Sequence, residues 1–344
     1  MNVPKLRFKE FNDNYLRLKY KDVLKIKSGK DQKQVECENG IYPILGTGGQ
    51  IGKTNSFLYD KPSVLIGRKG TINKPQYMET PFWTVDTLFY SHIYEPNIPK
   101  YLFYSFQNVN WKKYDESTGV PSLSSSTIEG VDCNIPSKEE QLKVANFISL
   151  LDKKIDLQSK KIEDLKLFKL CINNILFNGN KTIKLKDICE CKSSTISLSD
   201  IEYDDGIYPI YGANGEIKKI NSYQNDKDYL AIIKDGAGVG KTIICNKKSS
   251  IIATLSALIP NGIPVYYFNE LINKIDFSKY IVGSGIPHIY FKDYSNEKLY
   301  LHEEKKRVLI NNLFKKIIIK IELEENKLHL LETVKKGLMQ NMFV

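Results

Sequence analysis

Between Pro136 and Phe177 the chain can form only one thing at full length, a single long helix with an apolar seam. Ile148, Ile155, Ile162 and Leu176 fall on one heptad position, and Val144, Leu151, Leu165 and Ile172 on the other. Ser137-Lys138-Glu139-Glu140 opens it with a Ser-x-x-Glu capping box, which satisfies backbone N–H groups left free at a helix start. Asn178-Gly179 ends it, since both residues tolerate the left-handed conformation. A helix of about 40 residues is ~60 Å long, and outside a membrane its seam must be covered.

The chain supplies its own partner. From about Glu304 to the end, the same heptads recur 166 residues later: Phe314, Ile321, Leu328 and Met342 on one position, Ile310, Ile317, Leu331 and Leu338 on the other. The interruptions recur too. Gln158 is matched by Glu324 and Lys169 by Lys335, in the same register. Shared defects indicate duplication rather than two unrelated helices. The expected pairing is antiparallel, with Ile148, Leu151, Ile155, Gln158, Ile162 and Leu165 facing Phe314, Ile317, Ile321, Glu324, Leu328 and Leu331. Gln158 and Glu324, near the two midpoints, would then form a polar layer that fixes register.

The segments between the helices repeat as well. Gly40-Ile41-Tyr42-Pro43-Ile44-Leu45-Gly46 is answered by Gly206-Ile207-Tyr208-Pro209-Ile210-Tyr211-Gly212, again 166 residues on. Lys21-Asp22-Val23 is answered by Lys186-Asp187-Ile188, Gly70 by Gly236, and Gly119-Val120-Pro121 by Gly285-Ile286-Pro287. In the first copy the pattern predicts a short helix over 19–26, strands over 63–66, 82–93 and 131–135, a helix over 101–111, and a hydroxyl-rich loop over 117–126. The expected fold class is α+β: two similar globular domains separated by two long antiparallel coiled-coil helices, duplicated about a pseudo-two-fold. The expected bounds are 1–136 and 179–301 for the domains, 137–178 and 302–344 for the helices. Between the markers the two domains differ at most positions, so each is expected to recognise something different.

Composition narrows the partner. Lys plus Arg number 50 against 40 Asp plus Glu, a formal net charge of +10. That surplus suits a polyanion such as nucleic acid. Arginine occurs only at positions 7, 17, 68 and 307, so each is informative. The six cysteines are scattered, and Cys189-x-Cys191 lacks zinc-site spacing, so reduced cytoplasmic thiols are expected. No apolar run is long enough to span a bilayer, and Met-Asn-Val-Pro-Lys does not read as a signal peptide. His92, His288, His302 and His329 show no metal-ligand spacing. No Gly-x-Ser-x-Gly elbow and no Asn/Asp-Pro-Pro-aromatic tetrapeptide occurs, so neither catalysis nor a cofactor is expected.

Asp235-Gly236-Ala237-Gly238-Val239-Gly240-Lys241-Thr242 approaches a phosphate-binding P-loop but has Asp235 where the leading glycine belongs. A Gly turn between strands fits it better, lying either on a DNA backbone or in solvent. The candidate DNA contacts are Arg68, Lys69, Thr71 and Lys74 on the first Gly turn and Lys234, Lys241 and Thr242 on the second. Ser122, Ser124, His288 and Tyr290, after each Gly-x-Pro step, complete the set. For Arg68, bracing of the Gly70 turn is the competing role.

The run Pro136-Ser137-Lys138-Glu139-Glu140-Gln141-Leu142-Lys143-Val144-Ala145, continuing to Asp156, resembles the helix start of specificity subunits of type I restriction–modification enzymes. Pro4-Lys5-Leu6-Arg7-Phe8, the Gly-Ile-Tyr-Pro-Ile-x-Gly step in both halves and the basic Gly turn after a strand share the resemblance, which covers essentially the whole chain. It implies a non-catalytic protein with two target recognition domains, each reading one half of a split site in double-stranded DNA. It also implies two methyltransferase subunits docking on the chain, with Glu139, Glu140 and Gln141 as candidates, and optional motor–nuclease restriction subunits. Two departures stand out: Leu301-His302-Glu303-Glu304-Lys305-Lys306-Arg307 blurs the second helix start, and Tyr15 replaces an expected Trp. The alternative is a coiled-coil scaffold of two duplicated domains with no role on DNA.

Overall fold

The computed structural model describes residues 3–201 and 205–343. They form two compact units, Met1–Gln158 with Lys327–Val344, and Ser159–Asn326.

In the first unit the chain runs through β1 (Leu16–Lys19), one turn of helix α1 (Tyr20–Val23), β2 (Leu24–Lys27), β3 (Tyr42–Gly46), β4 (Gly49–Thr54), β5 (Ser63–Gly67), β6 (Gln76–Met78), β7 (Trp83–Thr84) and β8 (Leu88–Ile93). Helices α2 (Pro99–Asn108) and α3 (Ser125–Gly130), strand β9 (Asp132–Ile135) and the long helix α4 (Lys138–Leu176) follow. The order β2-β8-β5-β6 makes an antiparallel four-stranded sheet, and β4-β3-β7 a three-stranded one in which β7 runs parallel to β3. The helix expected over 19–26 stops after one turn. Leu24-Lys25-Ile26-Lys27 alternates buried and exposed and pairs with β8 instead, because a period of two suits a half-buried strand. The strand expected over 82–93 breaks at 85–87, where Leu88 N–H donates to the Val85 carbonyl, so β7 and β8 join different sheets.

The second unit repeats the plan with β10 (Ile183–Lys184), β11 (Cys189–Ser193), β12 (Tyr208–Gly212), β13 (Gly215–Ile220), β14 (Tyr229–Ile233), β15 (Thr242–Cys245), β16 (Ser250–Ile251) and β17 (Leu255–Pro260). Then come α5 (Val265–Ile272), α6 (Phe291–Tyr294), β18 (Lys298–Leu299) and the long helix α7 (Glu304–Met342). Its sheets, β11-β17-β14-β15 and β13-β12-β16, match those of the first unit strand for strand. Even the β-bulge recurs, between Ile44 and Leu45 and between Ile210 and Tyr211. The repeated Gly-Ile-Tyr-Pro step has a steric cause. A Cβ on Gly40 would lie 2.2 Å from the Thr54 backbone, and one on Gly206 would lie 2.0 Å from that of Ile220.

Each unit contains segments of both long helices, packed antiparallel. In the first, Val144, Ala145 and Ile148 of α4 share a core with Met339 and Met342 of α7 and with Tyr101, Phe106 and Trp111. There Lys335 Nζ lies 2.6 Å from Asp152 Oδ1, which anchors the pairing. In the second, Ile310, Phe314, Ile317 and Ile321 of α7 share a core with Phe177, Tyr267 and Phe268. All the seam positions named above are buried or half-buried, Gln158 and Glu324 among the buried. In the second unit the Glu324 carboxylate is held by Lys161 Nζ at 2.7 Å and Lys320 Nζ at 2.6 Å. The two ammonium groups compensate a carboxylate that would be costly to bury alone. Among the described residues, no helix is long and apolar enough to cross a membrane.

Candidate nucleic-acid interface

In each unit, buried strands hold a Gly turn against a Gly-x-Pro loop. Strand β5 is buried at every residue and delivers Arg68 and Lys69 to the surface as it ends. Arg68 N–H donates to the Thr87 carbonyl at 2.8 Å, Gly70 N–H to that of Pro121 at 2.8 Å, and Leu123 N–H to that of Arg68 at 2.9 Å. Lys69 and Ser122 thereby stand opposite each other in a β-bridge. Strand β14 leads in the same way into Lys234, which is half-buried. Its N–H donates to the Thr254 carbonyl at 3.0 Å, Gly236 N–H to that of Pro287 at 2.8 Å, and Ile289 N–H to that of Lys234 at 3.0 Å. Asp235 and His288 form the matching bridge. Gly70 and Gly236 have φ of +88° and +96°, a conformation that glycine adopts without a Cβ penalty. One backbone frame, tied by the same bonds, thus presents two different sets of side chains.

In the first unit Arg68, Lys69 and Ser122 come together at this edge, with Thr71 following Gly70 in the chain. Arg68 is exposed, and its guanidinium makes no hydrogen bond or ion pair among the described residues. By contrast Arg7 pairs with Glu140 and Arg17 with Asp132. The Gly70 turn is braced by Arg68's backbone, which leaves the side chain available. Lys74 is exposed and bonds to neither segment. Ser124 is engaged within the protein, where its Oγ accepts from Thr127 N–H at 3.1 Å as the N-cap of α3. The loop expected over 117–126 therefore ends one residue before this helix.

Sequence reasoning missed Asp115 and Glu116, which complete that edge. Asp115 Oδ1 accepts from Ser122 N–H at 2.9 Å, Ser117 N–H at 3.0 Å and Ser117 Oγ at 2.8 Å, and these bonds hold its carboxyl below the usual range. Glu116 is lowered likewise by the hydroxyls of Thr127 and Ser124. Both carboxylates are ionised at neutral pH. The signal for them lay in the duplication, since Ile281 and Val282 occupy the matching positions in the second copy.

In the second unit His288 and Tyr290 meet, and Lys234 joins them through its backbone, its half-buried side chain lying near Cys191. The His288 and Tyr290 rings stand edge to face at 5.0 Å, and Lys292 Nζ lies 5.4 Å from the Tyr290 ring centre. Lys241 and Thr242 lie apart from them, lining a cavity of about 830 Å³ with Lys166, Lys169, Asn269 and Glu325. The segment 235–241 joins two antiparallel strands rather than a strand to a helix, with Ile233 N–H donating to the Lys241 carbonyl at 2.9 Å. The context a P-loop requires is absent. Thr242 Oγ1 donates to Asn269 Oδ1 at 2.8 Å.

The start of α4 is an anchor. Ser137 Oγ accepts from Glu140 N–H at 3.3 Å, as a capping residue does. The Glu140 carboxylate, however, turns to Arg7, with Nε at 2.8 Å and Nη2 at 2.7 Å, and to Tyr15 OH at 2.9 Å. The Arg7 guanidinium also lies 5.1 Å from the Tyr15 ring centre, so Tyr15 contributes both a hydroxyl donor and a π face. Gln141 Oε1 accepts from Ile98 N–H at 2.9 Å and its Nε2 donates to the Pro136 carbonyl at 3.1 Å. Glu140 and Gln141 are buried, and of the three only Glu139 stays at the surface. Among the described residues, no group of three or more His, Cys, Asp or Glu is placed to hold a metal ion.

The backbone plan recurs in solved structures. The chain resembles the crystal structure of a type I restriction–modification system S subunit from M. genitalium, with a TM-score of 0.77, 18% identity and 99% of each chain covered. It also resembles a structure described as the basis of complex assembly and conformational transition of the type I R-M system, at a TM-score of 0.53 and 11% identity, covering 96% of this chain and 97% of that one. No curated relative matches the sequence. The family profile described as the type I restriction modification DNA specificity domain matches residues 12–167 and again 178–333. Those two matches are offset by the same 166 residues as the heptads and the Gly-Ile-Tyr-Pro steps, and on that ground the chain belongs to the family of type I restriction–modification specificity subunits, carrying the specificity domain twice.

Proposed function

We propose that this chain reads a bipartite site in double-stranded DNA, one half-site per recognition domain, within a type I restriction–modification complex. The domains are taken as 1–136 and 179–301, and the helices 137–178 and 302–344 as the spacer between them. The observation that carries this reading is the pair of loop edges, tied by the same three backbone bonds and unlike in side chains. A shared frame with diverged contacts is what two readers of different sequence require, since phosphate contacts position a protein and base contacts specify. The net charge of +10 supports a polyanion partner.

On this reading the chain does no chemistry. It positions two methyltransferase subunits, and restriction subunits where present, on the site it has chosen. Glu139 is the exposed member of the helix-start trio available to such a partner. The working location is the cytoplasm, where the DNA is.

The test is to sequence methylated bases in a host carrying this gene with methyltransferase partners. A split motif with a fixed gap is expected, and it should vanish when this gene is deleted. A contiguous motif, or methylation that persists without the gene, would overturn the reading in favour of a scaffold without a role in sequence choice.

A further inference from the structure

We infer that the second unit recognises thymine through its methyl group, using Ile281, Val282, Ile286 and Tyr290. The inference rests on the loop edge being the base-reading surface. These side chains are 42%, 45%, 70% and 50% exposed, four large apolar groups within ten residues of one loop. Single exposed apolar residues are ordinary on a protein surface, but four within ten residues of one loop give it an apolar character that calls for a partner.

The loop is not free to fold them away. Val282 and His288 exchange both backbone hydrogen bonds at 2.9 Å, Gly236 N–H holds the Pro287 carbonyl, and the Ile289 side chain is buried at 2%. A rigid frame therefore holds the apolar groups outward. The exposed Lys292 beside Tyr290 gives the same edge the positive charge that backbone phosphates attract.

An apolar surface beside a lysine fits one feature of duplex DNA. In the major groove only thymine presents a methyl group, and apolar side chains are its usual contacts. The first unit has the opposite chemistry on the same frame. Asp115, Glu116 and Ser124 stand where the second unit has Ile281, Val282 and Tyr290, and only Val120, matching Ile286, is apolar. Carboxylates accept from exocyclic amines such as that of cytosine, and Arg68 is free to meet guanine.

The experiment uses the full chain in complex with its methyltransferase partners, on duplexes carrying the mapped site. The half read by the second unit is identified as the half that changes when residues 183–301 are exchanged. Each thymine in one half or the other is replaced by deoxyuridine, which lacks only the methyl. Affinity should fall about fourfold for each contacted methyl in that half, the equivalent of one buried methylene. An Ile286→Ser variant, altered at an exposed side chain, should lose most of this sensitivity while keeping its preference at the other half. Unchanged affinity on deoxyuridine duplexes, with specific binding intact, would overturn the inference alone. So would a second half-site without an A·T pair, or sensitivity that persists in Ile286→Ser. Failure to prefer the mapped site over a scrambled duplex would instead overturn the loop-edge reading on which it rests.

Discussion

Replacing Glu140 with Gln keeps the shape of the helix start and removes its charge. The carboxylate side chain is 1% exposed and the Arg7 side chain 14%, and the pair is bidentate, with Tyr15 as a third donor. Removing one partner of such a buried pair leaves the other charge uncompensated, at a cost of about 3–5 kcal/mol. Arg7 retains some solvent, so the lower end, about 3 kcal/mol, is expected for Glu140→Gln. Both tryptophans, Trp83 and Trp111, lie in the first unit, and Trp111 is buried at 1% in the core that includes Val144 and Ile148. Tryptophan fluorescence during urea unfolding therefore reports the unit that contains the mutation. With a urea slope of about 2 kcal/mol per M, the midpoint should fall by about 1.5 M. The double variant Arg7→Met/Glu140→Met, which removes both charges, should recover most of that loss. A midpoint shift under about 0.3 M for Glu140→Gln, or a double variant as unstable as the single, would refute the view that this pair anchors the N-terminal arm to the helix.

Three further outcomes are expected. Arg68→Ala should leave the melting temperature unchanged, because the guanidinium bonds to nothing among the described residues, while specific DNA binding weakens by about 1–3 kcal/mol with relaxed preference at one position of one half-site; a lowered melting temperature would restore a bracing role. His302 is buried and its pKa is lowered, first by burial and then by Lys306, so the folded state resists its protonation. The stability this contributes is present above the unfolded-state pKa of about 6.5 and is lost as pH falls below it; thermal unfolding followed by circular dichroism at pH 7.5 and 5.5 should show the drop, and His302→Gln should shrink it. Gly206→Ala should lower the melting temperature by far more than Gly285→Ala, since the added Cβ meets backbone at 2.0 Å in the first case and open space in the second; equal effects would mean that the Gly-Ile-Tyr-Pro step is not a packing requirement.

The long helices were legible because a heptad is a local pattern, and the observed spans, Lys138–Leu176 and Glu304–Met342, begin 166 residues apart as the repeat requires. The paired turns were legible because duplication marks equivalent positions without any knowledge of contacts. What remained hidden depends on partners distant in sequence. Glu140 and Gln141 read as surface residues of a helix start until Arg7, Tyr15 and Ile98 are seen to enclose them. Lys169 and Lys335 read only as matching defects. Their counter-charges come from unmatched places, Glu270 on α5 for one and Asp152 on α4 for the other, so no repeat could reveal them. The N-cap role of Ser124 was hidden because a hydroxyl after a loop suits a phosphate and an N-cap equally well.

The most direct test of one half-site per domain is exchange. Residues 183–301 are replaced by the corresponding segment of a related specificity subunit, and methylated bases are mapped with the methyltransferase partners present. One half of the recognised site should change while the other half and the gap stay as they were. A change in both halves at once, or in neither, would contradict the account.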